Sequence, residues 1–367
     1  MDIEKLEEAF SFLKDNLYFN QPTKAKMKKK VNVLIAGATG YIGNQLVKIL
    51  QNHKYVNIKY LCGNKSVGKK ISFFDKNIND KQLPIIQKFR KNFIDNVDVI
   101  FTALPFGDSQ KISKFLKKNK ILIDLSADFR LKKVSDYKKW YKKKHLVPKN
   151  IKKSCYSIPE FSKKKIKNYQ IIASAGCYPT SILLPLKPLL LKGLIKNSNI
   201  IIDSKSGYSG AGRSIHIKNK NKNLYESLSA YGVSNHRHNS EIQQELDLVT
   251  KKKTNFTFTP HLTPMFRGIL STIYIDLKKD KSINDIIRCL KKYYKKNIFV
   301  KIMKKNKLIS TNDVINTNLC KISICNSKYK DKLILLSVID NLIKGGAGQA
   351  VQSFNLIFNF KENESLK

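Results

Sequence analysis

The sequence predicts an α/β protein, an open parallel sheet interleaved with helices and joined to an α+β domain. Three observations carry this. The apolar run Val31-Asn32-Val33-Leu34-Ile35-Ala36 opens directly into a glycine-punctuated turn and then a helix-like segment. Short apolar runs then alternate with helical spacing to about residue 175. Beyond residue 177 strand-like runs dominate until a closing helix. Alternation of the first kind builds a parallel sheet covered on both faces, and ligands collect at the carboxyl ends of its strands.

With 367 residues the chain can bury a substantial core, and two domains are expected. Six irregularly spaced cysteines, with no CxxC pair and no secretory leader, point to reduced thiols and a cytoplasmic location. No apolar run approaches the length of a membrane span. The formal charge of +43 suggests a polyanion partner, but only six of the 70 basic residues are arginine. The lysines are spread evenly among abundant Asn and Ile. Specific nucleic-acid sites favour the arginine fork, so the charge reads as compositional drift, with weak non-specific binding at low salt and no specific nucleic-acid partner.

Residues 1–30 stand apart. Ile3, Leu6, Phe10 and Leu13 lie near helical spacing among acidic residues, which predicts a short amphipathic helix followed by a polar linker. The first strand then leads into Gly37-Ala38-Thr39-Gly40-Tyr41-Ile42-Gly43 and the helix-like Asn44-Gln45-Leu46-Val47-Lys48-Ile49-Leu50. Strand, glycine turn and helix, here as GxxGxxG, is the context of a Rossmann-type dinucleotide fingerprint: the glycines allow the turn and let a pyrophosphate approach backbone N–H groups. The second strand, Asn57–Cys62, is followed by Gly63-Asn64-Lys65-Ser66 rather than by a carboxylate. An acidic residue there would bond a ribose 2′-hydroxyl. Its replacement by Lys65 and Ser66 favours a 2′-phosphate, hence NADPH/NADP over NAD. Strands near 97–104 and 121–125 lead into the candidate ligand loops Pro105–Ser109 and Ser126–Arg130.

The chemistry centres on Ser174-Ala175-Gly176-Cys177-Tyr178-Pro179-Thr180, between a strand ending near Ala173 and an apolar helix. A thiol at a helix start faces unpaired N–H groups and the positive end of the macrodipole, both of which favour the nucleophilic thiolate. The same cysteine also suits a small buried hydrophobe. Pro185 inside the following segment predicts a short or kinked helix. A small, glycine-rich loop, Ser204–Arg213, contains Ser206 and ends in a scarce arginine; it reads as an anion cradle or as a surface turn. In His236-Arg237-His238-Asn239-Ser240-Glu241, Ser240 with Gln243 forms a capping-box pattern that starts a helix near Ser240 and leaves His236 just ahead of it. The spacing lacks the paired helical histidines of a zinc site, so general acid/base chemistry with an anion-binding arginine is the better reading, and no metal is expected.

Read together, GATGYIG, GCYPT, SGYSGAGR, HRHNSEI and DNLIKGGAGQAVQ occur in one order from residue 31 onward. This set resembles the N-acetyl-γ-glutamyl-phosphate reductases of arginine biosynthesis, relatives of aspartate-semialdehyde dehydrogenase. The resemblance implies a dinucleotide-binding domain over 31–176 and 341–367, an α+β catalytic and dimerisation domain over 177–340, and a homo-oligomer. It implies NADPH-dependent reductive dephosphorylation of an acyl phosphate through a thioester on Cys177, with His236 as general acid/base. Arg130, Ser206, Arg213, Arg237 and Glu241 are the implied substrate contacts, Glu241 alternatively orienting the histidine. Gly37, Thr39, Gly40, Tyr41, Ile42, Gly43, Lys65, Ser66 and Asn341 are the implied cofactor contacts, Asn341 facing the nicotinamide. Two departures stand out: Ala175 where the family has proline before GC, and Asn64 where many members carry arginine. The competing readings are the aspartate-semialdehyde sister family, an aminoadipyl substrate, and a non-catalytic nucleic-acid-binding scaffold.

Overall fold

The computed structural model describes residues 30–213 and 226–367. The amphipathic segment read at the N-terminus lies outside them. Strands β1 (Val31–Ala36), β2 (Val56–Cys62), β3 (Ile86–Gln87), β4 (Val99–Thr102), β5 (Ile121–Asp124), β6 (Ser154–Ser157) and β7 (Ile171–Ser174) form one all-parallel sheet in the order β3-β2-β1-β4-β5-β7-β6. Its central strands β1, β4, β5 and β7 are largely apolar and buried because both faces are covered. Val33, Ile35 and Phe101 pack with helix α1 (Tyr41–Leu50), while Leu34, Ile100 and Leu122 face the opposite layer with Ile112 and Phe129.

Four shorter or later helices are α2 (Asp108–Ser113), α3 (Val134–Tyr141), α4 (Pro159–Ser162) and α5 (Cys177–Leu191). The chain leaves the first sheet through α5. Helices α6 (His238–Thr250) and α7 (Ile283–Tyr294) then pack with α5 on a second, mixed sheet. That sheet contains β8 (Ile200–Gly207), β9 (Ser229–Ala230), β10 (Phe256–Thr263), β11 (Ile269–Asp276), β12 (Val300–Ile302), β13 (Cys320–Asn326) and β14 (Lys332–Ile339), ordered β12-β13-β14-β11-β8-β10-β9. After β14 a π-helical turn, Ile343–Ala347, feeds the closing helix α8 (Gly348–Ile357). Val351, Phe354 and Ile357 of α8 return to the first sheet's core, on the same face as α1.

One local expectation is overturned, the capping box at Ser240, and another is narrowed, since the helix carrying Pro185 is not short. Despite Pro185 and Pro188, α5 runs for 15 residues. Pro188 cannot donate to the Leu184 carbonyl, and the Tyr294 hydroxyl donates to it instead at 2.6 Å. With nearly every side chain of α5 buried between the two layers, packing outweighs the proline penalty. The capping box at Ser240 does not form. Helix α6 begins at His238, Ser240 is inside it with its hydroxyl bonded to Arg237 O, and the Gln243 amide donates to Asp247 and Thr254 O. No helix among the described residues is long and apolar enough to cross a membrane.

Candidate active site

Cys177 is the first residue of α5, immediately past β7. It lines a cavity of about 420 Å³ together with Gly40, Tyr41 and Ile42 of the glycine turn, the loop ends Ala103–Phe106 and Leu125–Ala127, and Asn341, Gly345 and Gly346 after β14. The carboxyl ends of β4, β5 and β7 therefore meet the helix start of the dinucleotide fingerprint, where an open α/β sheet takes its ligands. The contact from the C-terminal side is close: a methyl on Gly345 would come within 2.7 Å of Cys177 Cβ. Burial pushes the Cys177 thiol up to about 11, which outweighs the backbone N–H of Tyr178 and the Arg130 charge that pull it down. Burial at this helix terminus thus opposes the preference for thiolate that the helix start itself supplies.

The histidine that enters this cavity is His238, not His236. His238 packs directly on the cysteine loop, and a methyl on Gly176 would collide with its Nε2. Its other neighbour is Glu241, whose Oε1 is 3.7 Å from Nε2. Burial holds His238 well below the ordinary imidazole range, with further lowering from His236, Arg130 and Arg237, so the ring is neutral near pH 7. His236 stands behind it. Its ring contacts Tyr178, Tyr231 and Phe258, and its Nδ1 accepts the His238 backbone N–H at 3.2 Å. The early start of α6 accounts for the exchange: the second histidine occupies the first helical position.

Glu241 is fully buried, and its acceptors are committed to protein groups. Oε1 accepts Arg130 Nη1 at 3.0 Å, and Oε2 accepts the Gly176 N–H at 2.9 Å and the Tyr156 hydroxyl at 3.1 Å. Of the two roles the sequence allows it, this geometry fits orientation of the histidine and of the cysteine loop. Arg130 and Arg237 line the cavity from one side, and Arg237 lies over the rings of Phe106 and Tyr141. Arg213 also lines it, but against the glycine-turn helix: it bonds Asn44 Oδ1 and covers the Tyr41 ring. Ser206 is buried outside the lining, bonded to Gly207 O.

On the dinucleotide side, Gly37 has φ +84°, and a Cβ there would strike Ala103 O. Gly43 is packed as tightly against Gly37 O. Both are structural requirements of the turn, while Gly40, Tyr41 and Ile42 present its open side. Thr39 approaches Gly63 at the end of β2, beside buried Ser66 and exposed Lys65; these three are outside the cavity lining. Asn341 lines the cavity with its side chain fixed on both ends, accepting Gly268 N–H at 2.7 Å and donating to Ser209 Oγ at 3.0 Å. Ser174 and Phe106 line the cavity from stretches the sequence singled out, whereas Tyr141 carries no motif that sequence reading could use.

Ten buried side-chain polar atoms lack a hydrogen-bond partner among the described residues, and five of them belong to lining residues: Arg130 Nε, Tyr141 OH, Ser174 Oγ, Arg213 Nε and His238 Nδ1. Each such atom costs about 1–3 kcal/mol when left unpaired, so their concentration in one cavity marks a polar ligand site.

A dinucleotide turn meeting a helix-start cysteine and a neutral histidine defines a cysteine-dependent dehydrogenase, and the comparisons with known proteins agree. Residues 32–169 match the semialdehyde dehydrogenase NAD binding domain, and residues 177–341 match the semialdehyde dehydrogenase dimerisation domain. The N-acetyl-γ-glutamyl-phosphate reductase of Acetivibrio thermocellus is 43% identical over 337 residues, covering 91% of this chain and 97% of its own. That of Thermoanaerobacter pseudethanolicus is 44% identical over 340 residues, with 92% and 98% covered. The crystal structure of aspartate semialdehyde dehydrogenase II from Vibrio cholerae superposes with a TM-score of 0.68 over 90% of this chain and 99% of its own; at 16% identity it shows the shared fold alone. The chain belongs to the semialdehyde dehydrogenase family and, within it, to the N-acetyl-γ-glutamyl-phosphate reductases.

Proposed function

We propose a residue-level route for the activity of this family, the reduction of N-acetyl-γ-glutamyl phosphate to N-acetylglutamate γ-semialdehyde in arginine biosynthesis. The observation that carries it is the position of Cys177, at a helix start between the dinucleotide turn and His238. The Cys177 thiol gives up its proton to neutral His238 as Sγ attacks the γ-carbonyl. The carbon–oxygen bond to phosphate breaks, phosphate leaves, and a thioester remains. The backbone N–H of Tyr178, which already lowers the thiol's pKa, stabilises the sulfur as it becomes anionic. His238, now protonated, returns its proton to the carbonyl oxygen as the thioester is reduced to a thiohemiacetal. Collapse of that adduct restores the thiol and releases the aldehyde.

The reducing cofactor is NADPH, which supplies the hydride when bound. Gly40, Tyr41 and Ile42 offer the N-terminus of α1 to its pyrophosphate, and Asn341, held rigid on both sides, faces the nicotinamide. Lys65 and Ser66, following β2 where a carboxylate would select NAD, hold the 2′-phosphate. Arg130 and Arg237 receive the anionic groups of the substrate, and Glu241 fixes Arg130 and the cysteine loop. Residues 31–176 with 341–367 act as the dinucleotide-binding unit, and 177–340 as the catalytic unit through which a homo-oligomer assembles. The enzyme works in the cytoplasm on a small acyl phosphate, without a nucleic-acid partner.

The deciding measurement is the reverse assay on purified protein, with N-acetylglutamate γ-semialdehyde, phosphate and NADP. Phosphate-dependent NADP reduction is expected, and Cys177→Ser abolishes it while NADP binding persists. Turnover of aspartate semialdehyde in its place, or phosphate-dependent activity surviving in Cys177→Ser, would sink this route.

A further inference from the structure

A stacked pair of tyrosines reaches the cavity through one member, Tyr141, and the two differ in one respect. Tyr137 and Tyr141, one helical turn apart on α3, have ring centroids 4.8 Å apart. The Tyr137 hydroxyl is satisfied twice, accepting from Gln110 Nε2 at 2.7 Å and donating to Asp128 Oδ1 at 3.1 Å. The Tyr141 hydroxyl has no hydrogen-bond partner among the described residues, although the residue is only 4% exposed and lines the cavity that holds Cys177. Its ring is fixed by Tyr137, by Phe106 and by the Arg237 guanidinium 5.7 Å from its centroid. A rigid, desolvated hydroxyl without a partner is costly, and a ligand atom that pairs with it recovers the cost.

We propose that Tyr141 determines specificity, its hydroxyl donating a hydrogen bond to the acetamido carbonyl of the substrate. This rests on the activity proposed above. The assignment follows from charge. Burial, and then the nearby Glu241 charge, push the phenol above its ordinary range, so it stays a neutral donor. Arg237 beside it is the better match for the substrate carboxylate, which leaves the uncharged amide oxygen to the hydroxyl. A site built on a buried donor rejects the analogue that lacks its acceptor, so Tyr141 separates N-acylated from free amino-acid substrates.

The test compares the parent enzyme with Tyr141→Phe in the reverse assay, with N-acetylglutamate and glutamate as competitive inhibitors and thermal denaturation of the ligand-free proteins. Because the hydroxyl bonds nothing in the described structure, Tyr141→Phe should melt at or above the parent temperature. The KM for N-acetylglutamate γ-semialdehyde should rise about tenfold, with kcat falling far less. The preference for N-acetylglutamate over glutamate should shrink by the same factor. An unchanged KM and preference would overturn the proposal. Equal weakening of both inhibitors would overturn it too, by moving the hydroxyl to the carboxylate. Absence of turnover in the parent would instead refute the activity on which the proposal rests, while inhibitor binding followed by thermal shift would still test Tyr141.

Discussion

Glu241 Oε2 accepts the backbone N–H of Gly176 at 2.9 Å, so a carboxylate on α6 holds the residue immediately before the candidate nucleophile. The same side chain pairs through Oε1 with Arg130, itself only 7% exposed. One buried charge thus fixes the cysteine loop, the cavity arginine and, at 3.7 Å, His238. Glu241→Gln removes the charge and turns one acceptor oxygen into a donor facing donors. The Arg130 charge is then buried without a counter-ion, a change worth about 3 kcal/mol or more. The variant should show a lower denaturation midpoint and, where still folded, faster alkylation of Cys177, because the Glu241 charge raises the thiol and its removal favours the thiolate. A midpoint within about 0.5 kcal/mol of the parent would mean that the loop is held by other contacts.

The protonation states of Cys177 and His238 predict how reactivity follows pH. The thiol is raised to about 11 by burial, so below that value the thiolate fraction grows with pH. Iodoacetamide inactivation of the ligand-free enzyme should accelerate about tenfold per pH unit between 7 and 10, without a plateau. A plateau near pH 7 would show an activated thiolate and contradict this geometry. His238 is shifted the other way, by burial first and then by His236, Arg130 and Arg237. A base with a lowered pKa keeps its active neutral form further into acid, so kcat/KM should hold between pH 7.5 and 6.5, where an ordinary histidine would already be losing activity. His238→Asn should cost about 100-fold or more in kcat, and His236→Asn much less. The reverse order would return the catalytic role to His236.

The first half of the fold was legible because its signals are local. A continuous apolar run, a glycine turn and a helix within 20 residues identify the dinucleotide unit without tertiary information, and Cys177 was found by the same strand-to-helix logic. What failed depended on distant partners. Helix α5 keeps its length partly because the distant Tyr294 hydroxyl takes the Leu184 carbonyl orphaned by Pro188, a residue the sequence reading did not weigh. The cap predicted at Ser240 lost to a helix that starts two residues earlier, and that shift turned His238 rather than His236 to the cavity. Tyr141 carries no motif. Its significance is an unpaired hydroxyl, a property visible only once the neighbours are in place.

Lys344 and Glu160 form a second buried ion pair, on the far side of the turn that presses on Cys177. Nζ lies 2.6 Å from Glu160 Oε1 and 2.8 Å from Gln352 Oε1, and the two charged side chains are 0% and 1% exposed. Lys344 sits within the π-helical turn, next to Gly345, whose backbone contacts the cysteine. Its side chain therefore anchors that turn to α4 and α8. Losing one partner strands the other charge, so Lys344→Met should destabilise the protein by about 3–5 kcal/mol in chemical denaturation. Removing both charges abolishes the stranded ion, and Lys344→Met combined with Glu160→Met should recover much of that loss. If the double variant is instead as unstable as the sum of the single ones, the pair contributes through Gln352 and its neighbours rather than through mutual compensation of charge. If Lys344→Met alone costs less than about 1 kcal/mol, the turn is held by packing, and the buried lysine has no structural role in placing Cys177.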